Sequence, residues 1–274
     1  MPGRALPGPV QVVGYDSGVG HLRSDPVDGV DGEVAPPALV IAEEGSVRRE
    51  VLDPGHELDY ALGARHCAGT HDGSVHDPCP NPGTPRCDVH TTPWPCARCP
   101  GDCEKPIDAC EEEHAVYLAA FAPDRFKVGV TRSWRLHARL REQGADRAAH
   151  LRTVSDGRIA RRIEREMAGS IPDRVPTARK VRGLHRDVDW SAWNDLLTQH
   201  DPIATYEFEY GLDLDGGPMA ETLAAGHVVG SQGRLLVLER DGGAYAVDLR
   251  NLVGYEITHG GLDRDLQASL GAFD

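Results

Sequence analysis

Seven cysteines, Cys67, Cys79, Cys87, Cys96, Cys99, Cys103 and Cys110, fall within 44 residues of a 274-residue chain. The segment holding them, residues 66–113, is rich in Pro, Gly and His and shows neither a strand-like nor a helix-like apolar period. Such a segment cannot bury a core of its own and has to be stapled. Cys96-Ala97-Arg98-Cys99 is a C-x₂-C hook, the spacing at which two thiolates close a turn around one tetrahedral zinc ion. His66, His71, His76 and His90 are candidate nitrogen ligands. Seven thiolates and one imidazole would fill two four-coordinate sites, so one or two structural Zn²⁺ ions are expected. Disulfides are disfavoured by the odd count and by the start MPGRALPGPVQVV, which lacks the continuous apolar stretch of an export signal. A redox C-x-x-C should open a helix, whereas Pro95 and Pro100 place this one in a loop. An iron–sulfur cluster is compatible with the same spacing. Arg86 and Arg98, inside the cluster, are candidates for contact with nucleic acid.

Charge is distributed unevenly. The net charge is -14, yet residues 114–186 carry 17 Lys and Arg against 7 Asp and Glu, a net of +10 that leaves -24 for the rest. Lys105, Lys127 and Lys180 are the only lysines. An Asp-rich, Lys-poor chain suits a high-salt cytoplasm, where the screening length at 1 M is only ~3 Å. GC-rich coding gives the same bias. A uniform adaptation to salt would have acidified 114–186 as well, so the basic island points to an anionic partner, DNA or RNA. The alternative is that its arginines pair with acidic neighbouring segments. No apolar run approaches ~20 residues, so no membrane partner is expected and the expected compartment is the cytoplasm.

The expected fold class is α+β: a cysteine-rich zinc segment (66–113) and a basic α/β module (114–186) between an N-terminal short-strand segment (1–65) and an acidic C-terminal helix-plus-strand segment (187–274). Val10–Gly14 and Ala38–Ala42 read as strands, and Gly45-Ser46 as a turn into Val47–Val51. Ala115–Phe121 and Phe126–Val130 read as a hairpin across Pro123-Asp124. Ser133 caps a helix that runs to Gln143 and stops at Gly144. Ser155 or Asp156 caps a second helix with Ile159, Ile163 and Met167 as its apolar stripe. Asp189 caps a short helix with Trp190, Trp193, Leu196 and Leu197. Four more strands follow, with Gly242-Gly243 as a hairpin turn. The two terminal segments share a texture of short strands, as if they packed together with the middle inserted.

Several runs in the middle segment resemble a known module. His114-Ala115-Val116-Tyr117-Leu118-Ala119, followed by Lys127-Val128-Gly129-Val130-Thr131-Arg132, resembles the two strands of the GIY-YIG nuclease fold. Arg139 to Ala145 resembles its first helix, and Ala160-Arg161-Arg162-Ile163-Glu164 its second. The order Cys110, His114, Val116–Ala119, Lys127-Val128-Gly129 and Gln143-Gly144-Ala145 is similar to the domain of unknown function 2797 family. In that family a cysteine-rich stretch precedes a GIY-YIG-like module. Leu249 to Tyr255 resembles its C-terminal end, so the likeness runs from about residue 35 to 257.

The resemblance implies a metal-dependent nuclease. Tyr117 stands at the first tyrosine, Arg139 at the helix arginine and Glu164 at the metal-holding glutamate, while Lys127 occupies the second tyrosine position. The chemistry agrees with those residue types. Arg139 would stabilise charge on phosphoryl oxygens, Glu164 would hold one Mg²⁺ or Mn²⁺, and Tyr117 or Lys127 would handle the proton. Arg132, Arg135, Arg141, Arg161 and Arg162 are candidates for backbone phosphates. Two other readings use the same residues: a non-catalytic zinc-dependent nucleic-acid-binding protein, and an interaction scaffold whose basic segment docks acidic domains.

Overall fold

The structure is a computed structural model that describes residues 9–19, 35–91, 101–102 and 110–263. Cys96, Cys99, Cys103 and Arg98 therefore lie outside the described residues. The fold is mixed α/β and strand-rich, with one large sheet and few, short helices.

In chain order, β1 (Gln11–Asp16), β2 (Ala38–Glu43), β3 (Ser46–Val51) and β4 (Glu57–Arg65) lead into a two-stranded hairpin of β5 (Thr70–His71) and β6 (His76–Asp77). Then come β7 (His114–Phe121), β8 (Arg125–Arg132), a 3₁₀ turn (Ser133–Arg135), α1 (Leu136–Glu142), β9 (Arg147–Val154), α2 (Gly157–Met167), α3 (Thr177–Val181), α4 (Trp190–Leu197) and β10 (Ala204–Glu207). The chain continues through β11 (Met219–Ala220), β12 (Ala224–Gln232), β13 (Leu235–Arg240), β14 (Gly243–Asp248), α5 (Leu249–Leu252) and β15 (Tyr255–His259). The described residues of 1–18, 35–92 and 218–274 form one compact unit, and those of 19–34 and 93–217 another.

The first unit is a nine-stranded sheet in the order β11-β14-β13-β12-β4-β15-β1-β2-β3, drawn from both ends of the chain. Its central strands are almost continuously apolar, as ALVIAE of β2 and LLVLER of β13 show. Leu39, Ile41, Leu58, Leu236, Leu238, Val247 and Ile257 meet in one core. The sheet curls on itself. Three strands separate β3 from β4 in the order, yet Arg48 on β3 donates to the Tyr60 hydroxyl on β4 at 3.0 Å. Edge strand β3 carries Arg48, Arg49 and Glu50, the charges that keep an open edge from pairing with another chain. Two hairpins close through turns with two consecutive positive φ values, Glu44-Gly45 and Asp241-Gly242, the type I′ geometry that matches strand twist. The second turn is thus one residue earlier than Gly242-Gly243, because Asp tolerates the left-handed region and Gly243 pairs with Arg240 in the ladder.

The second unit is a four-stranded sheet, β10-β9-β7-β8, with β8 at one edge. β7 alternates between two cores. Ala115, Tyr117, Ala119 and Phe121 face Leu136 and Leu140 of α1, while Val116, Leu118 and Ala120 face Ala160 of α2 and Trp193 of α4. Helix α1 ends at Gly144, where the Gly144 N–H donates to Arg141 and the Ala145 N–H to Leu140, a Schellman closure. Asp156, not Ser155, caps α2 by accepting from Arg158 N. Ile159 is 38% exposed, and Ala160, one position on, takes its place in the core with Ile163 and Met167 packed partly against it. The fourth strand, β10, comes from beyond residue 186 and pairs Tyr206 with Ala148. No helix among the described residues is long and apolar enough to cross a membrane.

Candidate functional site

Each unit carries one chemically distinctive constellation. In the first, β4 ends at Arg65 and delivers Cys67 from the sheet directly into a loop region. Backbone hydrogen bonds fold the following segment over it: Cys67 N to Asn81 O at 2.8 Å and Ala68 N to Pro85 O at 3.0 Å. Cys87-Asp88-Val89-His90 then turns tightly, with the His90 N–H donating to the Cys87 carbonyl at 2.9 Å. These constraints bring the Cys67, Cys79 and Cys87 sulfurs and a His90 ring nitrogen within 4.8 Å of one another.

The edges of this group fit a four-coordinate metal ion such as zinc. Cys79 Sγ and Cys87 Sγ are 3.9 Å apart, far beyond a disulfide bond, and His90 Nδ1 is 3.4 Å from both Cys67 Sγ and Cys87 Sγ. A tetrahedron with zinc–sulfur bonds of ~2.3 Å and a zinc–nitrogen bond of ~2.0 Å has edges of about 3.8 Å between sulfurs and about 3.5 Å between sulfur and nitrogen. The surroundings stabilise thiolate at Cys87. The Cys87 N–H donates to Cys67 Sγ at 3.2 Å, and the Asn81 amide to Cys87 Sγ at 3.5 Å. That amide leads the effects that bring the Cys87 thiol down to about 6. Cys79 moves up: the Asn81 N–H favours its thiolate, but burial and the Cys67 and Cys87 sulfurs outweigh it. Donors of this kind around the ligands are part of a metal site's design.

The other histidines have different partners. The His66 ring lies 2.9 Å from the Cys79 carbonyl and 3.2 Å from Glu256, and His76 Nε2 lies 3.0 Å from the Ala68 carbonyl. His71 is partly buried and its pKa is lowered, by burial first and then by Arg86. Arg86 donates to the Gly69 carbonyl. Cys110, buried in the second unit, is not among the four ligands. Among the described residues the hook is Cys87-x₂-His90; Cys96-x₂-Cys99 lies outside them. The sequence signal for it was the histidine three residues after a cysteine.

In the second unit, Tyr117, Lys127, Arg139 and Glu164 come together at edge strand β8, which touches both α1 and α2. Tyr117 pairs across the ladder with Gly129, and its ring lies over that residue. A Cβ at Gly129 would sit 2.6 Å from the Tyr117 hydroxyl, so only glycine admits the ring there. Gln143, at the end of α1, donates to the Tyr117 hydroxyl at 2.9 Å and accepts from Lys127 Nζ at 3.2 Å. Lys127 Nζ lies 5.9 Å from the Tyr117 ring centre. Burial pushes the Tyr117 hydroxyl upward, against the opposing Arg139 charge and the Gln143 hydrogen bond. Lys127 is brought down to about 8, by burial and then by Arg139, with Glu164 and Asp173 pulling the other way. Glu164 is nearly buried, with its side chain 14% exposed, and Arg161 Nη1 lies 2.7 Å from its Oε2.

The five arginines expected at a phosphate chain are mostly committed elsewhere. Arg132 pairs with Glu112 at 3.4 Å and Arg135 with Glu142 at 2.8 Å, and both flank the Trp134 ring. Arg141 is buried with its guanidinium 5.2 Å from the Phe208 ring centre, and Arg161 holds Glu164. Arg162 alone of the five is exposed. The pairing partners are carboxylates of the same unit, so much of the basic island is neutralised locally.

Residues 84–212, somewhat under half of the chain, match the model of a family described as a protein of unknown function, DUF2797. The match takes in Cys87, His90 and the whole four-stranded sheet, and it is shorter than the span of 35–257 suggested by the residue likeness. No curated protein and no solved structure matches the chain.

Proposed function

We propose that the chain is a zinc-stapled nucleic-acid-processing protein that cleaves phosphodiester bonds of DNA or RNA at the edge of its four-stranded sheet. The observation that supports this is the meeting of Tyr117, Lys127, Arg139 and Glu164, which lie far apart in sequence, around one stretch of β8. Their order along the chain and their residue types follow the GIY-YIG-like pattern, with lysine in place of the second tyrosine.

Zinc suits three thiolates and an imidazole that are all supplied by the chain, with no position left for substrate, and this is the donor set of a structural site. The remaining Cys96, Cys99, Cys103 and Cys110 number four, a complete thiolate set, so two zinc ions per chain are proposed.

At the second site, the Arg139 fork would bind phosphoryl oxygens and stabilise charge developing on them. Lys127, lowered to about 8, is in part a free amine near neutral pH. Its Nζ would accept a proton from the attacking water as the new P–O bond forms, and the leaving oxygen would take a proton from solvent. Tyr117 and Gln143 hold Nζ in place. Glu164 would hold Mg²⁺ or Mn²⁺, which polarises the phosphoryl group and offsets charge on the leaving oxygen.

The test uses the zinc-loaded full chain with labelled DNA and RNA in Mg²⁺ or Mn²⁺. Cleavage is expected, and Glu164→Gln should reduce it strongly while binding persists. Two observations favour a second reading, a non-catalytic nucleic-acid-binding protein: Arg161 already holds the carboxylate of Glu164, and a lysine stands at the second tyrosine. Binding without cleavage on every substrate would select that reading.

A further inference from the structure

Many arginines of the second unit pair with carboxylates, and three with no such partner among the described residues lie together. The guanidinium groups of Arg179, Arg182 and Arg186 have no hydrogen-bond or ion-pair partner among the described residues. With Arg125 they line an open groove of about 430 Å³ at the β7–β8 hairpin. The segment that carries them is fastened to the hairpin at three points. Gly183 packs so closely that a Cβ there would lie 1.9 Å from the Ala122 carbonyl. The Asp189 N–H donates to the Pro123 carbonyl at 2.6 Å. Lys180 Nζ donates to the Gln143 carbonyl at 2.8 Å and sits 3.9 Å from the Phe121 ring centre.

Three carboxylates share the groove, and two of them are already engaged. Asp124 pairs with Arg125 at 3.1 Å, and Asp189 caps α4 by accepting from Ala192 N at 3.0 Å. Four guanidinium groups thus face three carboxylates, Asp124, Asp187 and Asp189, and the groove carries a net charge of +1. An open, charged groove of this kind fits a ligand that passes across it, not an enclosed apolar molecule.

The groove also continues the cluster described above. Arg125 and Lys127 lie two residues apart on one face of β8, a rise of roughly 7 Å, the scale of one nucleotide step. Lys180 reaches the Gln143 backbone, and the Gln143 side chain holds Tyr117 and Lys127. We infer that the Arg125–Arg179–Arg182–Arg186 groove is a subsite for a backbone phosphate of a polynucleotide whose neighbouring phosphate lies at the Tyr117–Lys127 cluster. The second half of that statement rests on the function proposed above.

The experiment compares three full-length proteins: wild type, the triple variant Arg179→Gln/Arg182→Gln/Arg186→Gln, and Glu164→Gln. Each is titrated with a labelled single-stranded oligonucleotide over a series of salt concentrations, and separately with a nucleoside monophosphate and inorganic phosphate. The three arginines are exposed, and thermal unfolding checks that the triple variant keeps its fold. The triple variant should bind the oligonucleotide at least tenfold more weakly, with a salt slope shallower by about 0.7, the release expected for one single-strand phosphate contact. Glu164→Gln should lose most of its cleavage, which reads the proposed function separately from binding in the groove. Unchanged affinity and slope in the triple variant overturn the inference and leave the proposed function standing. Loss of binding in the triple variant, with no cleavage by wild type, supports the groove and overturns the catalytic reading. Wild type that binds free phosphate as tightly as the oligonucleotide makes the groove a small-anion site and overturns the inference. Wild type that binds no oligonucleotide overturns both.

Discussion

Cys67, Cys79, Cys87 and His90 in one unit and Tyr117, Lys127, Arg139 and Glu164 in the other are both four-residue constellations, but they solve opposite problems. The first closes on itself. Its three sulfurs are buried and His90 half-buried, they stand at the corners of a small tetrahedron, and N–H groups of the chain already point at its sulfurs. The second brings mixed charges to a sheet edge, with a lysine whose proton is loosened by burial and a glutamate held by one arginine. A closed, self-satisfied set contributes to stability. An unevenly satisfied set, held in place by Gln143 and Gly129, is the arrangement that favours chemistry or binding.

The sharpest way to break the comparison is to remove a ligand from the closed set. Cys87→Ala should lose the metal and destabilise the first unit by several kcal/mol, since binding of a structural zinc ion is worth on the order of 10 kcal/mol. Metal analysis and thermal melting with and without chelator check this, and a variant with unchanged metal content and melting would refute the staple. Next in size, Glu164→Gln should reduce cleavage by about 10³-fold while leaving the melting temperature nearly unchanged. A parallel fall in both would make Glu164 structural.

Lys127 ties stability to pH. Its folded pKa, about 8, lies below its ordinary value of 10.5. The unfolded chain therefore holds more protons between those values, and the destabilisation is full below pH 8 and fades as pH rises toward 10.5. Lys127→Met should stabilise the protein near neutral pH by about 1–2 kcal/mol, after loss of the Gln143 hydrogen bond is counted. It should also remove any rise of cleavage rate through pH 8. Denaturant melts at pH 7 and 10 and a pH–rate profile measure the two effects. A change of similar size and opposite sign comes from Gly129→Ala. Its Cβ collides with the Tyr117 ring and should cost about 1–2 kcal/mol. It should also weaken catalysis, by displacing the Tyr117 hydroxyl from Gln143. A crystal structure of the variant with that hydrogen bond intact would contradict this account.

Legibility followed the range of the interactions. The β7–β8 hairpin, the end of α1 at Gly144 and the caps of α2 and α4 were readable because each depends on residues a few positions apart. Strand β9 was not readable. Its RAAHLRTV has small apolar residues with no clear alternation, and it is a strand because β7 and β10 flank it. The four residues of the second cluster were all named from the sequence, and Gln143 appeared there as a helix end in a motif run, but its hydrogen bonds to Tyr117 and Lys127 and the part played by Asp173 were not readable. The reading favoured a C-x₂-C hook, whereas Cys87 and His90 supply the described one. The choice among His66, His71, His76 and His90 depended on which ring the fold turned toward the sulfurs.

The sequence by itself determined that a cysteine-rich stretch carries residues able to hold a metal and that a basic segment interrupts an acidic chain, because composition and spacing are local properties. Only the tertiary structure decided which arginines remain available. Arg132, Arg135 and Arg161 lost their availability to Glu112, Glu142 and Glu164, while Arg179, Arg182 and Arg186 kept theirs. Net charge counts ions, but recognition depends on the ions left unpaired, and pairing at distances of about 3 Å is set by the fold.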